Sequence, residues 1–203
     1  MPERCLLVID MQNDFVGPSA VMRCEGGREI IPGVAALVDG TRAAGVPVIW
    51  VVQEHRRQLV DFGRELDGSP VHCVEGTPGV ELAEPLRRRP DDFIVVKRRF
   101  SSFLGTDLDL LLHGLGVREL WVSGCATDGC VRSTVADGHQ LGYRVRLVRD
   151  CVAGATVRRH EAALEYLGSL QPGMLATAEQ ALAAFRQERG QSQGQSPGQG
   201  QGA

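Results

Sequence analysis

The 203-residue chain reads as an α/β domain of three layers, with a mainly parallel sheet of about six strands between two layers of helices, a Rossmann-like arrangement. Three observations predict it. Short, solidly apolar runs alternate with longer stretches whose apolar residues recur at helical spacing. The runs lack the in–out alternation of a sheet with one wet face, so the strands are expected to be buried on both faces, as parallel strands are. Hydrophobic residues make up 43% of the chain, enough for one sizeable core but not for two.

The elements follow in order. Cys5 to Ile9 is the first strand and ends at Asp10, and Ile30 to Ala44 is the first helix. Val46 to Val52 is the second strand; Pro47 lies near its start, where a missing N–H is tolerable. Phe93 to Val96 is the third and stops at Lys97. The helical stretch Thr106 to Leu115 ends in Gly114-Leu115-Gly116, which lacks the third glycine of a dinucleotide loop and reads as a helix C-cap. Then come strand Leu120 to Val122, helix Thr127 to Leu141, strand Val145 to Val148, helix Arg158 to Leu167, a weak sixth strand at Met174 to Ala176, and helix Ala178 to Arg186. Right-handed crossovers put the C-terminal ends of parallel strands on one edge of the sheet.

Two stretches break this rhythm. Residues 53–92 are rich in Gly, Pro, His and charge, with at most a short helix around Val80 to Arg88; such an excursion is expected to be an active-site loop or lid within a domain covering 1–189. From Gly190 to Ala203 the chain reads GQSQGQSPGQGQGA, has no core-forming residue, and is expected to be a disordered tail.

Charge and cysteine usage exclude several classes. With 22 basic and 25 acidic residues the net charge is −3, which suggests neither a nucleic-acid footprint nor a polybasic membrane patch. No apolar run approaches the roughly 18 residues that span a bilayer, and the opening Met1-Pro2-Glu3-Arg4 is not that of a signal peptide. Cysteines 5, 24, 73, 125, 130 and 151 form no C-x-x-C pair and read as thiols of a reducing, cytoplasmic setting. All but one of the basic residues are arginines; the exception is Lys97.

Polar residues just past the ends of parallel strands converge on the crevice where ligands bind. Asp10, Lys97 and Cys130 fall at three such ends. Cys130 follows a strand-to-helix turn, Gly124-Cys125-Ala126-Thr127-Asp128-Gly129, in which Thr127 or Asp128 would cap the helix. A thiol in the first helical turn is expected to have a lowered pKa, and the free N–H groups there could hold an oxyanion. A neighbouring Lys would favour both carboxylate and thiolate, and the carboxylate can move the thiol's proton.

Asp10-Met11-Gln12-Asn13-Asp14-Phe15 resembles the D-x-Q-x-D-F opening of the isochorismatase-like cysteine hydrolases, which include nicotinamidase, N-carbamoylsarcosine amidase, biuret hydrolase and ureidoacrylate amidohydrolase. Lys97 to Leu108 resembles their lysine block, and Gly124 to Val131 with Ser133, Thr134 and Asp137 their nucleophile block, in the right order from about Cys5 to Phe185. The resemblance implies the isochorismatase-like hydrolase fold, with Cys130 as nucleophile, Asp10 as general base and acid, and Lys97 as the charge beside both. It also implies an oxyanion hole from the N–H groups of Ala126 and Cys130, a cis Cys125–Ala126 peptide, Phe15 and Phe103 walling the substrate pocket, and a homo-oligomer. The expected substrate is a small molecule with an amide, ureido or carbamoyl group, cleaved through a thioester. Two alternatives stay open: vinyl-ether hydrolysis of the isochorismatase type, which uses the Asp and Lys without a thiol, and a non-catalytic binding member.

Some nicotinamidases hold a metal through an Asp-x-His and a further His after the second strand. Here that place reads Val52-Gln53-Glu54-His55-Arg56-Arg57-Gln58, with Glu in a different register and no second histidine nearby. No spacing links His72 or Cys73 to His55 as a ligand set. No metal and no cofactor are therefore expected, which argues against a nicotinamidase proper. Gln53, His55 and Cys125 are expected to contact substrate.

Overall fold

The computed structural model describes residues 3–194. Among these residues the strands are β1 (Arg4–Ile9), β2 (Val48–Gln53), β3 (Phe93–Lys97), β4 (Glu119–Cys125), β5 (Arg144–Ala153) and β6 (Leu175–Ala176). They form one sheet in the order β3-β2-β1-β4-β5-β6, and every pairing is parallel. The helices are α1 (Asn13–Val16), α2 (Ile31–Ala43), α3 (Leu108–Leu115), α4 (Arg132–Gln140), α5 (Val157–Leu170) and α6 (Ala178–Gly194).

The pleat of β1 explains why its run is apolar throughout. Leu6 and Val8 face one core, with Val34, Leu37 and Val38 of α2 and Phe185 of α6. Cys5, Leu7 and Ile9 face the other, with Leu108 and Leu112 of α3, Val135 of α4 and Leu167 of α5. Successive side chains of a strand point to opposite faces, so a strand covered by helices on both sides has no position for a polar residue until it leaves the sheet. It leaves at Asp10.

The strand order reverses between β1 and β4, and the crevice beyond their C-terminal ends is the topological switch point of a doubly wound sheet. Gly124 stands there, beside Ile9 in the register. Its φ is +110°, and a Cβ at this position would meet the Ile9 carbonyl oxygen at 2.0 Å. Only glycine permits β4 to pass so close to β1.

Three local expectations are corrected. The stretch Val80 to Arg88 is not helical. A 3-10 turn covers Pro78–Val80, then Leu82 bridges Gln12 and the Ala83 N–H donates to the Met11 carbonyl. Pro85, without an N–H, bars a helix through this stretch. Neither Thr127 nor Asp128 caps α4, because a kinked π-type turn over Thr127–Val131 precedes it. Asp128 instead accepts from the Ala155 N–H and pairs with Arg159. Finally, α6 continues past Gly190 to Gly194, since each added residue closes one more backbone bond without needing a core partner. The rest of the expected tail, 195–203, lies outside the described residues. Gly116, in the left-handed conformation, does terminate α3.

Candidate active site

Three strand ends deliver the reactive groups. Asp10 directly follows β1, with its N–H on the Val51 carbonyl and a φ of 51°. Aspartate tolerates this left-handed conformation better than a bulky or branched residue, and the bend turns its side chain across the edge of the sheet. Lys97 is the last residue of β3, in register with Gln53 of β2. Its long side chain crosses over β2 to place Nζ 2.7 Å from Asp10 Oδ2, 3.2 Å from Gln53 Oε1 and 3.3 Å from Cys130 Sγ. Cys130 lies in the kinked turn after β4. Asp10 and Lys97 are fully buried, and Cys130 is 5% exposed.

The ammonium meets Asp10 at ion-pair distance, and Cys130, Lys97 and the Gln53 backbone all favour its carboxylate form.

Burial pushes the Cys130 thiol well above its ordinary pKa; the Asp10 charge adds to the rise and Lys97 opposes it. Burial also raises Asp10, against the pull of Lys97. Burial disfavours the Lys97 ammonium, but the charges and hydrogen bonds of Asp10 and Cys130 together outweigh it and the pKa rises. The thiol is therefore pushed toward its neutral form, against the expected lowering of its pKa. The physical reason is that Cys130 precedes the first regular turn of α4, so the dipole that would favour the anion is weak there, while desolvation acts in full.

Gln53 joins this group to a second one. Its Oε1 accepts from Lys97, and its Nε2 lies 2.8 Å from His55 Nε2, 3.2 Å from His72 Nε2 and 3.3 Å from Glu65 Oε1. His55, Glu65 and His72 converge so that one ligand-type atom from each falls within 4.8 Å of the others. The expectation that no second histidine lies near His55 is therefore corrected: the two rings are 5.6 Å apart. The 53–92 excursion returns alongside the end of β2, where His55 bridges Val74, and Asp14 holds it by accepting from the Cys73 N–H at 2.6 Å. Gln12 fastens the same edge, exchanging hydrogen bonds with both backbone groups of Gln53.

A cleft of about 860 Å³ opens above. Phe15, Gln53, Ala126 and Cys130 line it, while Asp10 and Lys97 lie beneath its floor. The other candidates do not reach it. His55 is fully buried under Phe62, whose ring stacks on it at 3.7 Å. The Cys125 thiol turns back to the Asp10 carbonyl at 3.1 Å. Phe103 packs on Tyr143, because Ser102 is held by Thr134 of α4 through both its N–H and its hydroxyl. Phe62 and Phe100 are the aromatics that supply the wall in its place, and neither was singled out from the sequence. Glu65 was missed as well, and its position in the chain carries no signal. The Cys125–Ala126 peptide is cis. The Ala126 N–H has no backbone acceptor among the described residues.

Fold and site together define a doubly wound α/β protein with a thiol, a carboxylate and an ammonium grouped at its switch point. The family model of the isochorismatase domain matches residues 4–188, so the chain belongs to the isochorismatase-like hydrolases. A protein of Arabidopsis thaliana described as a probable inactive nicotinamidase is 40% identical over 168 residues, 77% of this chain and 84% of that one. The maleamate amidohydrolase of Pseudomonas putida is 29% identical over 184 residues, 89% of this chain and 86% of the relative. The pyrazinamidase of Pyrococcus horikoshii, solved in complex with zinc, superposes with a TM-score of 0.78 at 34% identity, covering 87% of this chain and 99% of that one. The family thus includes hydrolases of small-molecule amides. Among the described residues no helix is long and apolar enough to cross a membrane.

Proposed function

We propose that this protein is a cysteine-dependent amidohydrolase of small molecules, with Asp10, Lys97 and Cys130 as its catalytic residues. The observation that carries the reading is the junction of the three groups: the ammonium lies 2.7 Å from the carboxylate and 3.3 Å from the thiol. Asp10 takes the Cys130 proton as sulfur attacks the carbonyl carbon of an amide, ureido or carbamoyl group. Burial raises the Asp10 pKa, which makes its carboxylate a better proton acceptor than an ordinary one. Lys97, charged throughout, offsets the negative charge as it moves from carboxylate to thiolate. The oxyanion of the tetrahedral intermediate accepts from the Ala126 and Cys130 N–H groups. Asp10 then protonates the departing nitrogen, leaving a thioester on Cys130. A water that gives its proton to Asp10 attacks the thioester, and the acid product leaves as the thiol regains its proton.

Gln53 and Phe15, in the cleft wall, orient the substrate. A single hydrolase domain, a cytoplasmic setting and a homo-oligomer belong to the same reading. Ammonia release is to be measured from a panel of amides, ureides and carbamoyl compounds, with intact mass recording any acyl-enzyme. Cys130→Ala is expected to lose both turnover and the acyl adduct; hydrolysis retained in that variant would sink the mechanism. A second reading, a non-catalytic binding member, is favoured by the description of the Arabidopsis relative as inactive. No ammonia and no adduct from the wild type across the panel would select it.

A further inference from the structure

We propose that the Gln53 carboxamide occupies the place of a divalent cation in this protein, and so closes the His55–Glu65–His72 cluster to metal. The donor set by itself would suit one: two imidazole nitrogens and a carboxylate oxygen are a common set for a zinc-like ion. A 34% identical relative has been solved with zinc. In this chain, however, a fourth group already stands among the three donors. Gln53 Nε2 is 2.8 Å from His55 Nε2, 3.2 Å from His72 Nε2 and 3.3 Å from Glu65 Oε1.

Which end of the amide faces the cluster is decided by chemistry on both sides. Lys97 Nζ, at 3.2 Å, is a donor with no acceptor capacity, so it requires the amide oxygen. The Glu65 carboxylate is an acceptor and requires the amide nitrogen. A reversed amide would set NH₂ against an ammonium and oxygen against a carboxylate, two repulsive contacts in a site where Gln53, His55 and His72 are at most 2% exposed. The His55 imidazole agrees with this orientation. His55 Nδ1 faces Asp61 Oδ1 at 3.3 Å and His72 Nδ1 faces the Pro70 carbonyl at 2.8 Å. Both partners are acceptors, so each ring carries a hydrogen on Nδ1 and turns Nε2 to the centre, where His72 Nε2 also meets Glu65 Oε1 at 3.3 Å. The residues therefore do not fit a bound cation, because the atom that Gln53 presents to the centre is a hydrogen-bond donor and cannot ligate.

The same amide makes Gln53 a positioning residue for Lys97. It links the ammonium to a polar cluster built by the 53–92 excursion, so that hydrogen bonds do what a cation would otherwise do in holding that excursion to the sheet. The inference stands apart from the amidase reading, since it is read out by metal binding and not by turnover.

The test titrates the full chain, stripped of metal, with cobalt(II) and with zinc(II), following the visible absorption of cobalt and the heat of binding. Wild type is expected to bind no ion in a His72-dependent way, so that wild type and His72→Ala give the same weak titration. Gln53→Glu, isosteric but presenting oxygen to the cluster, is expected to take one ion per chain about 100-fold more tightly than wild type. That gain should vanish in the double variant with His72→Ala. One cobalt per wild-type chain, lost in His72→Ala, overturns the proposal. So does a folded Gln53→Glu protein with no gain in affinity. If that variant does not fold, Gln53→Asp takes its place, and the wild-type against His72→Ala comparison decides by itself.

Discussion

Replacing Lys97 by methionine keeps nearly the same volume and removes the ammonium that faces Asp10 at 2.7 Å. At 2.7 Å the pair is worth about 6 kcal/mol with an effective dielectric constant of about 20, before the cost of burying either ion. Part of that is offset by desolvation already incurred in the native protein, so the loss expected for Lys97→Met is about 3–5 kcal/mol at pH 8. The pH dependence has a definite sign. Burial raises the Asp10 pKa against the pull of Lys97, so without Lys97 the folded value rises further above the unfolded value of about 3.9. Between those two values the native variant holds a proton that the unfolded chain lacks, and its stability falls as pH rises, by at most about 1.4 kcal/mol per unit. The deficit relative to wild type should therefore be largest at pH 8 and shrink toward pH 5. Urea unfolding midpoints at several pH values, with slopes checked for constancy, measure it. Equal midpoints at pH 8, or a deficit unchanged between pH 5 and pH 8, would refute the assignment of a buried, charge-compensating pair. Lys97→Arg supplies the companion result. It keeps the charge but forces a broad, planar group into a fully buried site, so it should cost about 1–3 kcal/mol and still lose turnover. Full activity there would return the lone lysine to mere composition.

Cys130 should react slowly with iodoacetamide at pH 7 and progressively faster above about pH 9, because its thiol is held neutral by burial and by Asp10. Peptide mapping separates it from the other cysteines, and rapid labelling of Cys130 at neutral pH would contradict the resting state described. Asp92, whose side chain is 5% exposed, accepts from the Trp50 indole at 2.9 Å and the Arg89 N–H at 2.8 Å and pairs with Arg42. Burial alone would raise its pKa, but these partners hold it below the ordinary carboxylate range. Its contribution is thus present above about pH 3.9 and lost as pH falls through the depressed folded value. Asp92→Asn should cost about 3 kcal/mol at pH 7 and clearly less at pH 3, by denaturant midpoints.

Much of this molecule was legible in one dimension because its signals are periodic. The run Cys5–Ile9 could only be a strand covered on both faces, and the alternation of such runs with amphipathic stretches implied the parallel sheet. Boundaries were less legible where the chain leaves the regular pattern. Thr127–Val131 reads as the start of the helix, but its kink at Gly129 separates Cys130 from α4, and the exact point of the break is not marked by residue type alone.

The candidate site divides along the same line. Asp10, Lys97 and Cys130 could be named in advance because each stands beside a strand end, and strand ends of a parallel sheet share one edge. That much the sequence determined, together with the single lysine that its composition spares. The state of the thiol, the failure of Phe103 and His55 to reach the cleft, and the meeting of His55, Glu65, His72 and Gln53 were decided only by the tertiary structure. Proton affinity and the approach of residues distant along the chain depend on desolvation and on how an irregular loop returns, and neither has a period that a sequence can display.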